Sequence, residues 1–168
     1  MGMRIMGIDP GGTTGVAIIE RFVWGRGVDG CGVVLLEQIE GGFEGQNAQG
    51  WHRKEQEVGV RVAELVQEYQ PEVVVIEDFI LGWGSGKTGT AKRGGLAAVR
   101  VTSVVATWLY TVLPEDTDWA GCRVVFSSPS VKRGTGIGWD AKLRDAGLWV
   151  KGQRHAMDAL IHALTFVK

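Results

Sequence analysis

Residues 7–15 read GIDPGGTTG. Upstream lies an apolar run, so Met3 to Asp9 reads as a strand, and Pro10, Gly11 and Gly12 then break the chain at a tight turn. Downstream, Gly15 to Trp24 reads as a second strand. The stretch turns on Asp9, because a carboxylate at the end of a buried strand is costly without a donor, a cation or a metal beside it. Two readings follow. The turn holds a phosphate through its backbone N–H groups, or Asp9 holds a metal that acts on one. The rest of the chain has to decide.

Working outward, GRGVDG (25–30) joins the second strand to a third, Gly32 to Glu40, as a hairpin. The Gly/Gln/Asn-rich stretch GGFEGQNAQG (41–50) leads to a helix over His52 to Tyr69. Its Val58, Val62, Leu65, Val66 and Tyr69 follow the 3.6-residue period, and Pro71 lies just past its end. EVVVIEDF (72–79) is a continuous apolar run of the kind buried on both faces of a sheet. A glycine-rich loop, LGWGSGKTGT (81–90), precedes an apolar helix over Gly95 to Leu113. A fifth strand, Arg123 to Phe126, the segment SSPSVKRGTG (127–136), a short helix over Asp140 to Asp145 and an amphipathic helix over Gln153 to Val167 complete the chain. The order is three strands, helix, strand, helix, strand and helices. It predicts one α/β domain over residues 1–168, a mixed five-stranded sheet with helices on both faces.

Composition narrows the function classes. At 168 residues, 45% hydrophobic and 22% charged, the chain has the balance of a soluble globular domain. No apolar run reaches the ~20 residues of a membrane span, and the start lacks a signal-peptide pattern. Cys31 and Cys122 have no metal-ligand spacing and read as reduced thiols of a cytoplasmic protein. Net charge is −1, which argues against a protein that coats nucleic acid indiscriminately. The charge is partitioned, however. Ten acids and three bases fall in 37–78, no acid falls in 79–113, and eight bases against three acids fall in 119–168. Such asymmetry fits either a surface that meets a polyanion or scattered surface charge with no partner.

Three acids stand out by position. Asp9 ends the first strand, and Glu77, with Asp78 beside it, ends the fourth. Asp158 lies on the last helix, in RHAMDALIHAL (154–164). In this strand order the first and fourth strands can lie side by side, which brings Asp9 to Glu77. His155 and Asp158, three apart, share one helix face. His162, a further turn on, reads as a packing or surface residue. Crowded carboxylates repel one another and need a positive partner. Hard oxygen ligands suit Mg²⁺ or Mn²⁺, and two such ions ~3.5–4 Å apart support phosphodiester hydrolysis. A histidine there would ligate an ion or shuttle a proton.

Together GIDPGGTTGVA, VVVIEDF and HAMDALIHAL resemble, in order, the three motifs of the RuvC family of Holliday junction resolvases, within the ribonuclease H-like superfamily. SVKRGTGIGWDAK (130–142) is similar to the family's basic segment before the closing helix. The resemblance spans nearly the whole chain. It implies a ribonuclease H-like fold and a metal-dependent endonuclease that cuts four-way DNA junctions symmetrically as a homodimer. Asp9, Glu77, His155 and Asp158 are then implied as the catalytic and metal-ligating residues, with Mg²⁺, or Mn²⁺ in its place, as the cofactor and two ions per site. Lys132 and Lys142 match the basic positions that meet the scissile phosphate. Phe79 and Trp83 compete for the family's base-contacting aromatic, because the spacing after Glu77 is not clean. Lys87, Lys92 and Arg93 belong to a glycine-rich DNA-contacting segment. The apolar helix 95–113, with Val101, Val104, Val105, Trp108 and Leu109, fits either a dimer contact or burial within one chain.

Three rival readings remain. A ribonuclease H-like nuclease acting on RNA or other branched DNA keeps the same acids. A junction-binding protein without catalysis would have no need of all three. The DPGGTTG turn also resembles the phosphate loop of actin-like ATPases, but that class closes two such domains around ATP.

Overall fold

The computed structural model describes residues 2–22, 27–40, 48–78, 93–112, 122–128, 131 and 138–167. Five strands, β1 (Met3–Asp9), β2 (Thr13–Arg21), β3 (Cys31–Glu40), β4 (Val73–Glu77) and β5 (Arg123–Ser127), form one sheet in the order β3-β2-β1-β4-β5. The first three run antiparallel, whereas β4 and β5 lie parallel to β1. A short 3-10 turn, Gly27–Gly30, leads into β3. The helices are α1 (Ala48–Tyr69), α2 (Arg93–Val112), α3 (Trp139–Asp145) and α4 (Arg154–Phe166). The mixed five-stranded α/β sheet is the one the element order predicts.

The period-2 alternation of β1 and β4 sorts two cores. Met6 and Ile8 of β1 and Val74 and Ile76 of β4 face α1 and α2, where Val58, Val62, Leu65, Val101, Val105 and Leu109 meet them. Ile5 of β1 and Val73 and Val75 of β4 face the other way, onto Trp139 and Leu143 of α3 and Met157, Leu160 and Leu164 of α4. Each such side chain, fully buried, contributes ~1.5–3 kcal/mol relative to exposure. Burial on both faces explains why β4 is apolar without interruption until Glu77.

Two boundaries differ from the sequence reading in ways that matter. α1 starts at Ala48 rather than His52, because Ala48 and Gln49 are good helix formers that extend the first turn. β5 runs one residue further than expected, and Ser127 pairs with Glu77. α2 spends its apolar face within the chain: Val101, Val105 and Leu109 are buried, and Trp108 donates its indole N–H to Gln56 Oε1 of α1 at 2.9 Å. A two-pronged ion pair ties the same helices, with Arg100 Nη2 donating to Glu55 Oε2 at 2.9 Å and Nε 2.8 Å from Oε1. Among the described residues no helix is long and apolar enough to cross a membrane.

Candidate active site

One row of residues crosses all five strands at the end of the sheet where β1, β4 and β5 terminate. Gln38 of β3 pairs with Gly15 of β2, and Gly15 pairs with Asp9 of β1. The parallel register of β1 with β4, ending at Ile8 opposite Ile76, sets Asp9 beside Glu77, and Glu77 pairs with Ser127. Asp9, Glu77 and Ser127 therefore stand on three adjacent strands and face α4.

Helix α4 lies across this row because two glycines let it. A Cβ built on Gly7 would lie 2.0 Å from the backbone oxygen of Ala159. One on Gly15 would lie 1.9 Å from the backbone oxygen of His155. Both obstacles are backbone, which cannot swing aside as a side chain can. The glycines of GIDPGGTTG thus serve a helix that rests directly on the sheet. The first turn of α4 is pinned as well, since the His155 backbone N–H donates to Gln38 Oε1 at 3.0 Å.

The consequence is a cluster at the sheet end. His155 Nδ1 lies 2.9 Å from Asp9 Oδ2. Two turns along α4, His162 Nδ1 lies 3.0 Å from Ser127 Oγ and its Nε2 3.6 Å from Glu77 Oε2. Asp9 and Glu77 are 6% and 7% exposed and His162 is fully buried, whereas the His155 side chain keeps 40% of its surface. Among the described residues, donor atoms of Asp9, Glu77 and His162 all lie within 4.8 Å of one another. Two ligands on opposite sides of one ion, each at ~2.1 Å, span ~4.2 Å, so small side-chain adjustments suffice to share a cation. The residues present fit a divalent metal.

Of the expected site residues, the structure brings together Asp9, Glu77 and His155. Asp158 is not part of the compact triad. It is half-buried one turn before His162, in a cleft of about 400 Å³ shared with Asp140, Trp149, Arg154 and Met157. Lys142 is exposed on α3, its amine 5.2 Å from the centre of the Trp139 ring. Phe79, Trp83, Lys87, Lys92 and Lys132, and the side chain of Arg93, lie outside the described residues. Burial pushes the thiols of Cys31 and Cys122 above their ordinary pKa, so neither is a ready nucleophile or soft ligand.

No family model matches the chain, and no curated protein matches its sequence. Solved structures do match. RuvC of Thermus thermophilus superposes with a TM-score of 0.68 at 19% identity, covering 97% of this chain and 92% of that one. The chain has the RuvC fold. RuvC of T. thermophilus in complex with a Holliday junction substrate gives a TM-score of 0.67 at 18% identity, over 97% of this chain and 91% of that one. The yeast mitochondrial Holliday junction resolvase gives 0.61 at 13% identity, over 99% and 78%. In the RuvC fold of this chain the end of the sheet, under α4, is where the acids and histidines converge.

His162 and Ser127 are the residues that sequence reasoning missed. His162 sits between His155 and Asp158 on a helical wheel, so its direction depends on how α4 crosses the sheet. By sequence, Ser127 falls in the segment after β5, one residue outside the expected strand, whereas in the structure β5 includes it.

Proposed function

We propose that this chain is a metal-dependent endonuclease that resolves four-way DNA junctions by paired phosphodiester hydrolysis, acting as a homodimer in the cytoplasm. The observation that carries the reading is the pair of buried carboxylates, Asp9 and Glu77, on adjoining strand ends beneath His155, in a fold shared with RuvC. Buried paired carboxylates call for a cation. Their oxygens, with Asp158 and His155 alongside, suit Mg²⁺ with Mn²⁺ as a substitute, at two ions per site. When bound, such ions polarise the phosphodiester and make water acidic enough to attack it near neutral pH.

The chain's own residues do the positioning. Asp9 and Glu77 hold the charge at the sheet end, and the low exposure of both strengthens every interaction there. His155, fixed by Asp9 through Nδ1 and by Gln38 through its backbone, presents Nε2 to exchange a proton with the reacting oxygens. Lys132 and Lys142 neutralise the scissile phosphate. Lys87, Lys92 and Arg93 grip the backbone, and Phe79 or Trp83 stacks on an unpaired base at the branch point, worth ~1–3 kcal/mol.

The test compares a labelled four-way junction with a linear duplex of the same sequence, in Mg²⁺, Mn²⁺ or EDTA. Paired symmetric cuts confined to the junction and abolished by EDTA are expected. Equal cutting of the duplex, or cutting of an RNA–DNA hybrid in preference to the junction, would overturn the substrate assignment.

A further inference from the structure

His162 has an environment that packing alone does not explain. Its ring is completely buried, and among the described residues its Nε2 has no hydrogen-bond partner. An unmet buried polar atom is destabilising, so it calls for a partner. The two neutral tautomers make different predictions. If Nδ1 accepts from the Ser127 hydroxyl, Nε2 carries the proton toward Glu77 Oε2, but 3.6 Å exceeds the ~2.7–3.2 Å of a hydrogen bond. If Nδ1–H donates to Ser127 Oγ, at 3.0 Å, Nε2 is a bare lone pair aimed at a carboxylate. Without a cation that arrangement is repulsive. With one between them it is a ligand pair, and a metal-ligating histidine commonly spends its other N–H on a neighbouring group in this way.

We infer that His162 Nε2 is a nitrogen ligand of the cation that Asp9 and Glu77 hold, oriented by Ser127, and that this centre favours Mn²⁺ over Mg²⁺. The inference rests on the metal-site reading above and adds to it a ligand from the third turn of α4. The preference follows from ligand chemistry. Imidazole nitrogen suits transition-metal ions, whereas Mg²⁺ favours an octahedron of oxygens and parts reluctantly with its waters. Ser127 contributes by fixing the tautomer, so its hydroxyl belongs to the centre although it touches no cation.

The test uses the full chain and Mn²⁺ alone, without DNA, read by pulsed EPR for a directly bonded nitrogen. The chain has three histidines, of which His52 is exposed on α1. The double variant His52→Gln/His155→Gln leaves His162 as the single imidazole. It is expected to keep the ¹⁴N coupling, and the coupling is expected to change to the ¹⁵N pattern in protein labelled at histidine. In His162→Gln, checked for folding by circular dichroism, Mn²⁺ affinity is expected to fall ~10-fold or more. Mg²⁺ affinity is expected to fall by a clearly smaller factor. Ser127→Ala should weaken Mn²⁺ in the same direction. Mn²⁺ bound by the double variant without nitrogen coupling, or bound by His162→Gln as by wild type, would overturn the inference. Mn²⁺ that binds wild type and Asp9→Asn equally, or binds neither, contradicts the metal site itself.

Discussion

Gly15 stands opposite Asp9 in the sheet and under the carbonyl of His155, so a single methyl group there has a foreseeable path to the chemistry. In Gly15→Ala the new Cβ meets backbone, and the first turn of α4 must lift away from β2. That overpacking should cost ~1–3 kcal/mol in urea unfolding. It should also stretch the 2.9 Å contact between His155 and Asp9, lowering cleavage by as much as ~100-fold. Unchanged stability together with unchanged activity would mean that α4 does not depend on this contact. The same position shows what a sequence reveals at this scale. Asp9 and Glu77 could be found because each ends an apolar run, and the strand order makes them neighbours. His162 could not, since only the backbone contacts at Gly7 and Gly15 determine which way that ring turns.

Between elements, α1 and α2 are held by packing, by the Trp108–Gln56 hydrogen bond and by a partly buried ion pair. Glu55 is 3% exposed at its side chain and Arg100 43%. The asymmetry predicts unequal consequences. Arg100→Ala strands a carboxylate in the helix interface and should cost ~3 kcal/mol, whereas Glu55→Gln leaves a guanidinium that is already half in water and should cost less. Urea midpoints of the two variants check this, and a larger loss in Glu55→Gln would contradict it. Most element positions were legible from periodicity: β1 and β4 from apolar runs, α1 and α4 from the 3.6-residue repeat. The surplus of apolar residues on α2 was ambiguous in sequence, because periodicity says that a face is covered but not by what. Here α1 and the sheet cover it at Val101, Val105 and Leu109. β5 ends one residue later than its sequence suggests, because Ser127 and Ser128 lead directly into Pro129 and read as loop.

Across the whole molecule, the sheet order joins an antiparallel half to a parallel half, and the site forms where β1, β4 and β5 end together. Three strands contribute Asp9, Glu77 and Ser127, and α4 closes over them with His155 and His162. The acid-rich and base-rich parts of the chain complement this arrangement. Glu37 and Glu64 of the acid-rich stretch pair with Arg61 on the surface of α1, while bases predominate in the segments that flank the site in sequence. In the proposed function Asp9 acts through a bound cation rather than as a structural anchor of the turn. Cleavage of a labelled four-way junction by wild type and Asp9→Asn in Mn²⁺, with binding read by gel shift in Ca²⁺, separates the two roles. The prediction is a loss of cleavage of ~10³-fold, with junction affinity retained. Cleavage by Asp9→Asn at the wild-type rate would contradict it.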